Sequence, residues 1–274
     1  MRAEYIRSVG LLRAAVLLFT SLLTATAVAA APAPDDDQDV RMPVSASAPS
    51  RSEPVDFFVG APRAWIALRG NQMFPRAGGD LFTFVTDQLT LERSQFRSRG
   101  FSTDLGIATG SRFDIVGGYE TNRHAQPSEY RHFVASNAQA ITQSTELVQR
   151  AFTVGARYSP LGRGLAISRF AFIPRRVAPY VGGGALVTYY RFSQQGQFVD
   201  SADLSIFNDR FYSDGWSVGP YVNGGADVQV WRHIYVTFDG RYSWVHSSLG
   251  SDFQGFDGID LAGFRASSGI SVVF

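Results

Sequence analysis

The sequence predicts an all-β chain folded as an eight-stranded antiparallel up-and-down transmembrane β-barrel, and three observations carry that prediction. Residues 261–274 (LAGFRASSGISVVF) set Ala262, Phe264, Ala266, Ser268, Ile270, Val272 and Phe274 on one side of an extended chain. Gly263, Arg265, Ser267 and Gly269 fall on the other, since a strand alternates its faces. Seven further alternating segments precede this one. The connections between them also alternate, tight at 109–112 (TGSR) and 231–233 (WRH) but long and polar at 75–95, 124–142, 194–213 and 249–259. Short turns at one end and long loops at the other characterise barrels that cross an outer membrane.

Composition agrees. The chain has 274 residues, 45% of them apolar and 18% charged, with 27 glycines and 22 Phe, 11 Tyr and 4 Trp, as suits curved β-structure. All 25 basic residues are Arg, and a net charge of +1 argues against nucleic acid as a partner. There is no cysteine, so neither disulfides nor a lipoprotein anchor is available.

Residues 1–29 read as a secretory signal: Arg2, Arg7 and Arg13, then an uncharged run from Ala14 to Val28, then Ala27-Val28-Ala29 as a small-x-small cleavage pattern. Residues 30–63 are rich in Ala, Pro, Ser and Asp, cannot build a core, and read as a disordered periplasmic linker. The barrel domain takes 64–274.

The eight segments lie at 64–74, about 96–109, about 112–123, about 143–158, about 177–193, about 214–231, 235–248 and 260–274. Each is long enough to cross a bilayer. The connection 159–176 breaks the short-turn rule and is expected to lay an amphipathic stretch against the inner leaflet. An Arg on the lipid face at mid-bilayer costs roughly 2–4 kcal/mol, which decides facing. The second segment therefore turns Phe101, Leu105 and Ile107 outward, and the sixth turns Val218, Val222 and Val230 outward with Tyr221 and Asn223 inside. Pro220, lacking an N–H, is expected near a bulge. The fifth segment is too uniformly apolar to assign.

That parity collects Arg69, Asp104, Asp114, Glu120, Arg157, Asp227, Asp239, Arg241 and Arg265 inside as an ion-pair network, because buried charges persist only when paired. A charge-lined passive channel is the alternative. Eight strands enclose a lumen that side chains can fill, which favours the sealed form. Trp65, Phe113, Tyr158, Tyr189, Trp216, Trp231, Trp244 and Phe274 are expected at the two water–lipid boundaries. In loop 75–95, Leu81, Phe82, Val85 and Leu89 predict a short amphipathic helix folded as a lid on the barrel mouth, or a partner-binding tip.

The exported chain, eight alternating segments, uneven loops and final GISVVF together resemble the OmpA/OmpX-like small outer-membrane β-barrel proteins. The resemblance covers 64–274. It implies an integral, surface-exposed role in membrane integrity, adhesion or ligand contact through long extracellular loops, whose ligand it leaves unspecified. It also implies outer-membrane lipid and lipopolysaccharide as surroundings, and the barrel-assembly machinery as the reader of Phe264, Ile270, Val272 and Phe274. No cofactor, metal or catalysis is implied. One enzymatic alternative stands beside it. His246 and Ser248 are similar to the His-x-Ser of outer-membrane lipid A deacylases, in which His activates the Ser, and Asp257 or Asp260 would orient the imidazole. Leu249 replaces the Asn that follows the Ser in those enzymes.

Overall fold

A computed structural model describes residues 58–274 apart from 136, 169 and 201. The export-signal reading and most of the linker reading lie outside the described residues. The last linker residues are included: Phe58 exchanges backbone hydrogen bonds with Phe172 (2.8 and 3.1 Å) and stacks on His233 at 4.6 Å.

Eight strands make the barrel: β1 (Ala64–Pro75), β2 (Ser98–Ala108), β3 (Phe113–Val134), β4 (Ala140–Tyr158), β5 (Val177–Val199), β6 (Ile206–Gln229), β7 (Ile234–Ser243) and β8 (Gly263–Val273). Each pairs antiparallel with its sequence neighbour, and β1 pairs with β8 from Trp65↔Val273 to Pro75↔Gly263 to close the sheet. Closure removes the unpaired edges that an open sheet would expose.

The strands differ in height. β1, β2, β7 and β8 have 10–12 residues, close to what a bilayer crossing needs. β3, β4, β5 and β6 have 22, 19, 23 and 24, and they are neighbours, so one side of the barrel continues as a four-stranded wall. Ten extra residues carry it about 33 Å further along the strands. The expected loops 124–142 and 194–213 are thus mostly strand. Beyond the lipid neither face need be apolar, so the alternation that reveals a strand fades while the ladder runs on.

Residues 159–176 hold a small hairpin, Gly164–Ser168 against Ala171–Pro174, that leaves Leu165 and Ile167 exposed and Phe172 buried. One further expectation is corrected. Pro220 sits at no bulge. Its carbonyl accepts from Trp244 N one step past the last β6–β7 pair, Tyr221↔Ser243, and with no N–H to return that bond the ladder stops there.

Candidate functional site

Alternation fixes which side chains enter the lumen. On β1 the odd residues are buried and the even ones exposed, so Arg69 is 3% exposed while Leu68 beside it is 63% exposed. On β8 Arg265 is inside and Phe264, Ile270 and Val272 outside; on β6 Val218 is 68% exposed and Asp227 buried. All nine charged residues expected inside are at most 8% exposed. Water would select the opposite arrangement, with Leu68 covered and Arg69 solvated. A continuous apolar exterior around a polar, fully hydrogen-bonded sheet is stable in hydrocarbon. This is a transmembrane barrel.

No protein-family model matches the sequence, and no curated protein matches it either. Solved structures that resemble it include Neisserial surface protein A (15% identity, TM-score 0.40, covering 77% of this chain and 96% of that one). The attachment invasion locus protein Ail of Yersinia pestis, solved in complex with a heparin analogue, shows 10% identity, TM-score 0.37 and coverage of 76% and 99%. The N-terminal barrel domain of Pseudomonas aeruginosa OprF gives 12%, 0.35, 78% and 99%. These are small outer-membrane barrels; at such identities the likeness is one of outline, and the transmembrane assignment rests on the inverted polarity.

Inside the barrel the charges stand in a connected stack. At the short-turn end Asp114 accepts from the Trp65 indole at 3.1 Å and lies 3.4 Å from Arg163 and 3.8 Å from Arg157. Arg157 also binds Asp227, with its guanidinium over the rings of Tyr180 (3.9 Å) and Trp65 (4.8 Å). In the middle Arg69 binds Asp104, while Asp239 accepts from Tyr180 Oη (3.0 Å) and Asn223 Nδ2 (2.8 Å). Toward the loop end Arg241 and Arg265 share Glu120, Arg241 at 2.9 Å, and Arg241 lies 3.8 Å from Asp104 and over Tyr221. Two cavities of about 10 Å³ lie among these groups, each room for about one water. The lumen is filled by side chains.

A separate apolar plug closes the loop end. The helix α1 (Asp80–Gln88) buries Leu81, Phe82 and Val85, and Phe82 meets Phe96 at 5.1 Å and Phe192 at 6.2 Å edge to face. Phe253 from the β7–β8 connection packs on Phe192 at 5.4 Å. Arg131 donates to the carbonyls of Leu89 and Leu91, and Asp80 Oδ2 accepts from Asp257 N at 2.8 Å, tying the lid to its surroundings. Leu81, Phe82 and Val85 are therefore in a helix seated on the mouth, as expected, whereas Leu89 lies just past its end in extended backbone.

The aromatic residues divide. Trp216 (61% exposed, beside Tyr189), Trp231 (73%), Trp244 (36%) and Phe274 (61%) face outward, and Tyr158 lies against Phe113 at 4.8 Å. Trp65 does not join them. It is 3% exposed and inside, sharing a face with Arg69, as its odd position on β1 requires. Its indole N–H is satisfied by Asp114, which is what makes burial possible. Tyr180 and Arg163, which sequence reasoning missed, complete the stack; an inward parity for Ala178 and Tyr180 could have been read only from the register of β5 on β4.

His246, Ser248 and Asp260 lie in the β7–β8 connection. His246 Nε2 is 3.4 Å from Asp260 Oδ1, and the two residues face each other in a two-residue ladder. Asp260 is also held by Arg76 (2.9 Å) and by Ala262 N (3.0 Å). No hydrogen bond joins His246 to Ser248; the Ser248 carbonyl accepts from Tyr190 Oη, and Asp257 contributes only its backbone N–H. In this arrangement the imidazole faces Asp260 and not the Ser248 hydroxyl.

Proposed function

We propose that the chain is an integral outer-membrane protein working at the cell surface, with a sealed barrel carrying a recognition wall outside the cell. In this reading residues 1–29 direct export, the following linker and the short turns lie in the periplasm, and the barrel-assembly machinery reads the outward row Phe264, Ile270, Val272 and Phe274. The wall of β3 to β6 is the observation that carries it, because a barrel needed only to seal a membrane has no use for strands twice the bilayer length. One edge of the wall is covered: Thr90 N donates to Glu129 O at 2.8 Å and Leu89 bridges Tyr130. The other is covered only in part: the β7–β8 connection reaches Tyr212, whose N–H donates to Asp252 at 3.1 Å, and Ser213, which accepts from Gly250 N at 2.8 Å, but at the tip Ile206 to Phe211 have no ladder partner on that side among the described residues. An open edge accepts an extended segment of another chain by strand addition.

The experiment is protease treatment of intact cells followed by extraction. Cleavage at 200–205 with a heat-modifiable barrel in the outer-membrane fraction is the expected result; a soluble periplasmic chain, or a protected wall, defeats the proposal. No catalysis is assigned to His246 and Ser248. Lipid A from expressing cells is expected to be unchanged by mass spectrometry, and loss of an acyl chain that His246→Ala abolishes would reverse that assignment.

A further inference from the structure

On β2 to β5 the outward runs end in a common chemistry at the loop end. Phe101, Tyr119 and Phe152 form a row of ring contacts at 6.4 and 5.1 Å, and Tyr189 stands 5.3 Å from Trp216. Beyond these rings stand Arg99 on β2, Arg123 on β3, Arg150 on β4 and Arg191 on β5, all exposed. Register makes Arg99 the direct cross-strand partner of Arg123. Arg123 faces Val148, with Arg150 the next outward residue; Arg150 faces Tyr189, with Arg191 the next. Direct partners are about 5 Å apart and diagonal ones about 7–8 Å. The four guanidiniums therefore form one arc across four strands.

The protein neutralises this arc only in part. Like charges set directly opposite destabilise a sheet. Glu146 binds Arg123 at 2.6 Å, and Asp214, the partner of Arg191, accepts from Tyr189 Oη at 2.7 Å. Arg150 makes no ion pair among the described residues, and Arg99 has only the Gln72 amide oxygen at 3.3 Å. Arg97, over the Phe74 ring at 5.4 Å, adds a further positive charge. Guanidiniums at the edge of hydrocarbon are costly without an anion, and their planar fork matches phosphate oxygens two at a time.

We infer that Arg99, Arg123, Arg150 and Arg191 bind the phosphate groups of an outer-leaflet phosphoglycolipid of the lipid A class, whose acyl chains lie on Phe101, Tyr119 and Phe152. The inference rests on the outer-membrane reading and fixes which arc of the barrel meets that lipid. The test uses the full chain refolded in detergent, with closure first verified by heat-modifiable gel mobility. Binding of bisphosphorylated lipid A and of the same lipid with its phosphates removed is then measured by native mass spectrometry. Wild type should prefer the phosphorylated form about tenfold or more, as charge-assisted bonds require. Arg123→Gln with Arg150→Gln should lose that preference, while Arg112→Gln with Arg175→Gln, an equal charge change elsewhere, should keep it. Should the first pair fail to close, Arg99→Gln with Arg191→Gln serves the same purpose, because relieving the Arg99–Arg123 repulsion does not cost stability. Equal loss in the control pair, or indifference to phosphate, overturns the inference while leaving the barrel standing. A chain that needs no detergent and shows no mobility shift overturns the membrane reading itself.

Discussion

Replacing Glu120 by Gln removes one carboxylate and leaves two buried guanidiniums facing an amide. Glu120 is 3% exposed and accepts from both Arg241 and Arg265. Arg241 keeps Asp104 at 3.8 Å, whereas Arg265 has no other carboxylate within ion-pair reach among the described residues. Removing one partner of a buried pair costs about 3–5 kcal/mol, because the remaining charge stays desolvated. The Gln oxygen can still accept one hydrogen bond, worth about 1 kcal/mol, which sets the expected loss near 3 kcal/mol. Urea unfolding of the barrel in lipid vesicles, followed by Trp fluorescence, would show this as a midpoint lowered by roughly 1.5 M for a slope near 2 kcal/mol/M. Glu146→Gln breaks the Arg123 pair, whose Arg is 71% exposed, and should cost less than about 1 kcal/mol. Glu120→Leu combined with Arg265→Met should recover only the part of the loss due to Arg265, since Arg241 still gives up its 2.9 Å partner and keeps only Asp104 at 3.8 Å. If Glu120→Gln costs no more than Glu146→Gln, the interior network is not paired as described and the lumen must be wet.

Three other outcomes follow from the packing. Phe82→Ala deletes a fully buried ring from the plug and should cost about 3–5 kcal/mol of lid stability; protease cleavage within 76–97 should accelerate while the heat-modifiable mobility is kept. Gly106→Ala would drive a Cβ into the Trp65 ring, which Asp114 and Arg157 hold in place, so the yield of closed barrel should collapse. Deleting 78–96 should remove the lid without opening a channel, because Arg69, Asp104, Arg157, Tyr180 and Arg241 fill the lumen below it. Steady single-channel current from that variant in a planar bilayer would contradict the filled lumen.

What was legible in the sequence is the part of the fold that lipid dictates. Arg241 and Asp239 cannot face hydrocarbon, so one residue of each kind fixes a whole strand, and the belt and its charged interior follow by parity. The same rule is silent where the solvent is water on both sides, which is why the expected segments for β3, β5 and β6 stop near 123, 193 and 214 although their ladders continue through Gln126, Gln194 and Phe211. It is silent again where a side chain suits either environment. Trp65 carries an apolar ring and one N–H, so composition assigns it to the boundary; parity with Arg69 assigns it to the lumen. The indole is inside because Asp114, 49 residues away, meets its N–H and Arg157 covers its face. Such a choice belongs to the register of β1, β3 and β4 together. Trp65→Phe separates the two terms: it keeps most of the ring but strands one acceptor of Asp114, and about 1–3 kcal/mol should be lost in the urea assay. No measurable loss would mean that shape alone holds position 65 inside, and that Arg157 and Arg163 suffice for Asp114.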